Sequence, residues 1–176
     1  EMGYRPNSSA RATRSGRFGC VGLLVCSDSH YSYMPQAMLW GIQKALEESD
    51  VHLTLASLPV NQPVTPSSLP KILREGMVDG MLINYSHQIP PTILEAVATC
   101  RIPAVWMNCK LSSDCVYPDD RGEARAIAEE MLARGHKRIA YIGSHHKRLA
   151  KDTDRHYSEF DRMAGYSEAV SSAGFA

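Results

Sequence analysis

The sequence predicts an α/β fold, a parallel sheet with helices on both faces, and three observations predict it. From Phe18 onward short apolar runs alternate with amphipathic stretches, the pattern of repeated βαβ units. The run Val21-Gly22-Leu23-Leu24-Val25 is continuously apolar, as in a strand buried on both faces. Glycine closes the later helical stretches, at Gly135 and Gly174, where a left-handed residue ends a helix without steric cost.

Val21–Val25 and His52–Ala56 read as the first two strands, and Gly80–Asn84, after the turn-like Val78-Asp79-Gly80, as a third. Pro103–Met107 and Arg138–Gly143 are the fourth and fifth. The helices between them are Pro35–Ser49, with Met38, Ile42, Ala45 and Leu46 on one face; Ser67–Glu75, with Leu69, Ile72 and Leu73; and Thr92–Ala98. Gly122–Arg134 follows, turning Ile127, Met131 and Leu132 inward, and Asp161–Ala173 is the last. Leu58–Pro70 reads as a loop entering a helix, since Pro59, Pro63, Pro66 and Pro70 block a regular strand.

With 44% hydrophobic and 22% charged residues over 176 positions, the chain reads as an ordered globular protein of one domain or a little more. No apolar stretch approaches the length of a membrane span, and the Arg-rich start lacks the apolar centre of a secretory signal, so the expected location is the cytoplasm. The five cysteines, Cys20, Cys26, Cys100, Cys109 and Cys115, are scattered and odd in number, which suits reduced thiols better than a disulfide framework. Net charge is zero, yet residues 1–17 hold Arg5, Arg11, Arg14 and Arg17 against Glu1 alone, a local basic arm.

In open parallel sheets ligands sit beyond the carboxyl ends of the strands. The loops there hold Ser27, Asp28, Ser29, His30, Tyr31, Tyr33, Asn84, Tyr85, Ser86, His87 and Asn108. Hydroxyls, amides and aromatic faces together suit a polar uncharged ligand such as a sugar, although loops are polar in any protein. Expected catalytic equipment is missing. There is no G-x-G-x-x-G after the first strand, no G-x-x-x-x-G-K-[ST] and no G-x-S-x-G, so no cofactor is expected. His145-His146, with His156, invites a metal, but adjacent side chains on an extended chain point apart and no metal site is expected. Asp119-Asp120 precedes a helix and reads more readily as a cap than as an acidic pair.

Two segments go beyond fold class. Val116-Tyr117-Pro118-Asp119, the helix through Ala126 and Leu132, and Gly135-His136-Lys137-Arg138-Ile139-Ala140-Tyr141-Ile142-Gly143 closely resemble the V-x-x-D…GH-(K/R)-R-I-A-x-I-G stretch of the lactose/galactose repressor (LacI/GalR) family of bacterial transcription regulators. Gly3–Asn7 with Ala10, Arg11 and Arg14 resembles the family's hinge, and Arg162-Met163-Ala164-Gly165-Tyr166 with Ala169 and Gly174 its R-x-x-G-(F/Y)…A…G helix.

The resemblance implies a Rossmann-like core of the type I periplasmic-binding-protein kind, two subdomains that close on a small effector. Residues 1–17 would be the hinge, 18–118 the N-terminal subdomain, and 119–176 the crossover with the start of the second. It implies a DNA-reading headpiece before Glu1 and a continuation past Ala176. Ligand contacts are expected from Ser27, Asp28, Tyr33, Asn84, Tyr85, Asn108, Asp119 and Arg162. Arg162 matches the family arginine that reaches the effector, and a guanidinium fork can donate to two ligand oxygens. DNA contacts are expected from Tyr4, Arg5, Asn7, Arg11 and Arg14. Two departures stand out: Thr13 replaces the usual hinge leucine, a poorer wedge between base pairs, and Ser32-Tyr33-Met34-Pro35 replaces Asn-Pro-Phe-Phe in the first-strand loop.

The expected function is therefore the effector-binding and dimerisation core of a LacI-type regulator, with operator DNA and a carbohydrate as partners and no catalysis. A periplasmic sugar receptor of an uptake system is the rival, and an α/β enzyme with its catalytic residues elsewhere a third reading. The basic arm and free cysteines count against the receptor.

Overall fold

A computed structural model describes residues 14–28, 31–59, 68–86, 88–143 and 155–175. The chain divides into two compact units, Glu1–Val116 and Tyr117–Ala176.

The first unit is a sheet of five parallel strands: β1 (Cys20–Cys26), β2 (His52–Leu58), β3 (Gly80–Asn84), β4 (Ala104–Met107) and β5 (Cys115–Val116). Their order is β2-β1-β3-β4-β5. Its helices are α1 (Gln36–Glu48), α2 (Lys71–Arg74) and α3 (Pro91–Thr99). α1 follows Pro35 and ends when Asp50 adopts a φ of 54°, with Asp50 N–H donating to the Glu47 carbonyl and Val51 N–H to the Leu46 carbonyl. α3 carries Pro91 in its first turn, where a missing N–H costs nothing.

The register aligns Leu24 of β1 with Ala56 of β2 and Ile83 of β3. Leu24, Ile83, Met81 and Trp106 form the core with Ile72 and Leu73 of α2 and with Ile93 and Val97 of α3. Each such aliphatic side chain contributes about 1.5–3 kcal/mol on burial. Gly22 lets α2 come close: a β-carbon there would stand 2.5 Å from Ile72 Cδ1. Toward α1 the covering is thinner. α1 buries none of its residues fully, its Met38, Ile42 and Leu46 are half-buried, and Trp40 is 63% exposed.

The second unit contains α4 (Asp120–Ala133) and α5 (Tyr157–Ser172), packed on each other. Gly165 permits the contact, because a β-carbon on it would lie 2.1 Å from the Arg121 carbonyl oxygen. Gly135 and Gly174 end the two helices at φ 87° and 79°. In both, the glycine N–H and the next N–H donate back to the last turn, Gly135 to Leu132 and His136 to Met131, Gly174 to Ser171 and Phe175 to Val170.

Several sequence expectations are corrected. α2 has only four residues, starting after Pro70, whose ring disfavours helix in the residue before it. α5 begins at Tyr157 and not at Asp161, because His156 caps it. β5 was not anticipated; two residues are too short to show a periodicity. Arg138–Gly143 is not a strand: no described segment offers its backbone a ladder partner, Ile142 is 93% exposed, and Ile139 receives its hydrogen bond from the Tyr166 hydroxyl at 2.8 Å. With no sheet beneath α4 among the described residues, Ile127 is 62% exposed, Met131 37% exposed and Leu132 half-buried, and Ala128 is the buried apolar residue of α4.

Candidate ligand site at the strand tips

β1 has β2 on one side and β3 on the other, so its outgoing connection and that of β2 diverge, and the carboxyl ends of β1 and β3 meet at the point where strand order reverses. A crevice opens at such a point in doubly wound sheets. There the loop after β1 is stitched to the end of β3. The Ser32 hydroxyl accepts from Cys26 N–H at 3.0 Å and donates to the Asn84 carbonyl. Asn84 Nδ2 donates to the carbonyls of Ser32 at 3.2 Å and Tyr33 at 3.3 Å, while Ser86 N–H and hydroxyl both donate to the Tyr31 carbonyl, at 2.8 and 3.0 Å.

This network separates the expected ligand residues by role. Asn84 is fully buried, its NH₂ is committed to loop carbonyls, and its Oδ1 has no partner among the described residues, so it holds the loop. Tyr85 is 2% exposed; burial pushes its hydroxyl up to about 12, with the hydrogen-bonded Cys26 thiol adding to the effect. Its ring lies 5.9 Å from that of Tyr31. Tyr85 thus supports the tip from below. Ser27 and Asp28 are exposed at the end of β1, and Tyr33 presents 70% of its surface just beyond. Asn108 adopts φ 56° after β4, and its N–H donates to the Val116 carbonyl at 2.8 Å, closing the turn into β5. The buried role of Ser32 is not legible in the sequence, because a serine in a polar loop carries no signal that its hydroxyl is buried.

In the second unit Asp119 caps α4, its carboxylate accepting from Gly122 N–H at 3.0 Å. Asp120 is buried at the first helical position, and Arg162 Nε donates to its Oδ1 at 2.7 Å. The Asp120 side chain is 9% exposed and that of Arg162 54%. Arg162 lines a depression of about 330 Å³ with Tyr141, Gly143, Arg155, Glu159 and Phe160. The Arg155 guanidinium stands over the Phe160 ring, 5.8 Å from its centroid. His156 accepts from Ser158 N–H as a helix cap. The pairing of Arg162 with Asp120 is not legible in the sequence, because the two lie 42 positions apart.

A recess of about 690 Å³ lies between α1 and the β1–β2 face, lined by Leu23, Val25, Leu39, Leu46, Leu53 and Leu55. It reaches His52 at the amino end of β2 and is largely aliphatic. Its position and lining fit loose packing of α1 better than a polar ligand. Tyr4, Arg5, Asn7, Arg11 and Thr13 of the expected hinge, and His145 and His146, lie outside the described residues; Arg14 is described and exposed. No described helix is long and apolar enough to cross a membrane.

The chain is 28% identical over 178 residues to the HTH-type transcriptional regulator RegA of Clostridium saccharobutylicum, covering 99% of this chain and 50% of that protein. It is 24% identical to GalR of Escherichia coli, covering 99% and 48%. The chain spans about half the length of the curated relatives it matches. Among solved structures, a LacI-family regulatory protein from Chloroflexus aggregans superposes with a TM-score of 0.66 at 17% identity, covering 90% of this chain and 54% of that one. The lac repressor dimer bound to operator superposes with a TM-score of 0.67 at 15% identity, covering 98% and 58%. Residues 19–176 match the family described as periplasmic binding proteins and sugar binding domain of the LacI family, and the chain belongs to that family.

Proposed function

We propose that this chain is the effector-binding and dimerisation core of a LacI-type transcriptional regulator that works in the cytoplasm and does no catalysis. The observation that carries the reading is the tip of β1: Ser27, Asp28 and Tyr33 stand exposed where strand order reverses, on a loop that Ser32 and Asn84 lock in place. Short polar groups beside an open aromatic face suit a carbohydrate, whose hydroxyls need donors and acceptors and whose ring faces stack. Arg162, held by Asp120, offers guanidinium donors to the same class of ligand.

Ligand binding acts by population shift. A sugar that binds one arrangement of the protein more tightly favours that arrangement, which then sets whether the protein, as a dimer, binds operator DNA with the help of the basic arm of residues 1–17. Relatives named as transcriptional regulators, and a solved relative bound to operator as a dimer, support this reading over a transport receptor.

The test is a thermal-shift panel of neutral sugars and nucleosides on the full-length protein, since selective binding to the native state raises the midpoint by mass action. A few degrees of shift by one sugar, removed by Tyr33→Ala, is expected. A flat panel, or turnover of the bound compound, contradicts the proposal.

A further inference from the structure

We propose that Asp120 sets both the position and the net charge of the Arg162 site, so that this site takes a neutral polyhydroxyl ligand and disfavours its carboxylated or phosphorylated counterpart. The inference deepens the reading of Arg162 given above and rests on it.

An arginine lining an open depression is by default a receptor for anions, because its planar fork matches carboxylate and phosphate oxygens. Here that default is opposed from within. Arg162 Nε is already engaged by Asp120 Oδ1 at 2.7 Å, so the side of the guanidinium most used for paired contacts with a carboxylate is occupied by the protein's own. Asp120 is almost wholly shielded from water while more than half of Arg162 is open. The carboxylate therefore acts on Arg162 at short range from a position shielded from water, and its second oxygen, Oδ2, is buried without a hydrogen-bond partner among the described residues.

The depression repeats the balance. Among the described residues its other charged lining residues are Arg155 and Glu159, so with Asp120 behind Arg162 two described cations face two described anions. The four N–H bonds of Arg162 outside Nε remain as directional donors, but the field is near neutral. Such a site rewards hydroxyl oxygens and gives little to an added negative charge. The backbone fixes the arrangement: Asp119 caps α4, which puts Asp120 in its first turn, and Gly165 brings α5 against that turn.

The test uses matched pairs on the full-length protein: glucose with glucuronate and galactose with galacturonate, titrated calorimetrically. Asp120→Asn keeps the acceptor oxygen and removes the charge. The native protein is expected to bind the hexose of a pair more tightly than the hexuronate. Asp120→Asn should move that ratio at least about tenfold toward the hexuronate, and Asp120→Glu should restore the native preference. Equal losses for both members, or a native preference for the hexuronate, would overturn the role of Asp120 while leaving Arg162 as a ligand contact. Binding of neither member of any pair by the native protein overturns the Arg162 reading itself. A second measurement needs no variant: lowering the salt from about 500 to about 50 mM should leave native hexuronate affinity unchanged, and a tenfold strengthening would contradict the balanced field.

Discussion

Ser32 and Asn84 bind each other in both directions: the serine hydroxyl donates to the Asn84 carbonyl, and the Asn84 amide donates back to the Ser32 carbonyl at 3.2 Å. The end of one strand thereby carries the loop of another, and the exposed Tyr33 inherits its position from a residue that never meets solvent.

Asn84→Ala removes both donors and leaves two loop carbonyls to find water. The expected cost is about 1–3 kcal/mol in urea unfolding. The same variant should lose sugar affinity, while Tyr33→Ala loses affinity with stability unchanged within about 0.5 kcal/mol. Equal stability of Asn84→Ala and the native protein would show that the loop is not held this way.

Gly165→Ala sets two effects against each other. Helix propensity favours alanine by roughly 1 kcal/mol. The new β-carbon would meet the Arg121 backbone, which cannot swing aside, and overpacking of this kind costs about 1–3 kcal/mol or more. Packing should win, lowering the thermal midpoint. Gly22→Ala should cost less, since its β-carbon meets Ile72 Cδ1, the far end of a flexible side chain. A reversed order of the two would contradict the rigid-backbone argument.

Asp79 receives the N–H groups of Phe18, at 2.9 Å, Gly19, at 2.7 Å, and Cys20, at 3.4 Å, pinning the entry to β1. Burial alone would raise its carboxyl; those three donors and Arg17 bring it below the ordinary value. A lowered folded-state pKa contributes stability above the unfolded value, and that stability is lost as pH falls through the folded one. The stability gap between native protein and Asp79→Asn should therefore be full near pH 6 and close below about pH 4. Because the site is exposed, the full gap is expected at about 1 kcal/mol or less. A gap that widens on acidification would reverse the assignment.

Cys26 and Cys109 are buried, whereas Cys20, Cys100 and Cys115 are half-buried. Burial pushes the Cys109 thiol up to about 12, with Cys115 adding to it, and burial also raises Cys26. A thiol with so little thiolate near pH 8 reacts slowly. A disulfide reagent at that pH should modify Cys20 and Cys115 first and reach Cys109 only in denaturant. Native-state labelling of Cys109 at the rate seen in urea would contradict the burial.

Much of this protein is legible along the chain. Continuous apolar runs at Val21–Val25 and Gly80–Asn84 announce strands buried on both faces, and Gly135 and Gly174 mark helix ends, because these properties belong to neighbouring residues and to single φ values. What the chain could not show was decided by contacts across long separations. Among the described residues, Arg138–Gly143 has a strand's composition but no ladder partner, and α4 has an apolar stripe with no sheet beneath it; Asn84, polar in sequence, is fully buried holding Ser32; and Asp120 faces Arg162 from another helix. Local sequence settles which backbone shapes are favourable and which faces are apolar. Whether a hydroxyl, amide or carboxylate meets water, a ligand or another side chain depends on which elements pack together, and that was settled only when the chain folded.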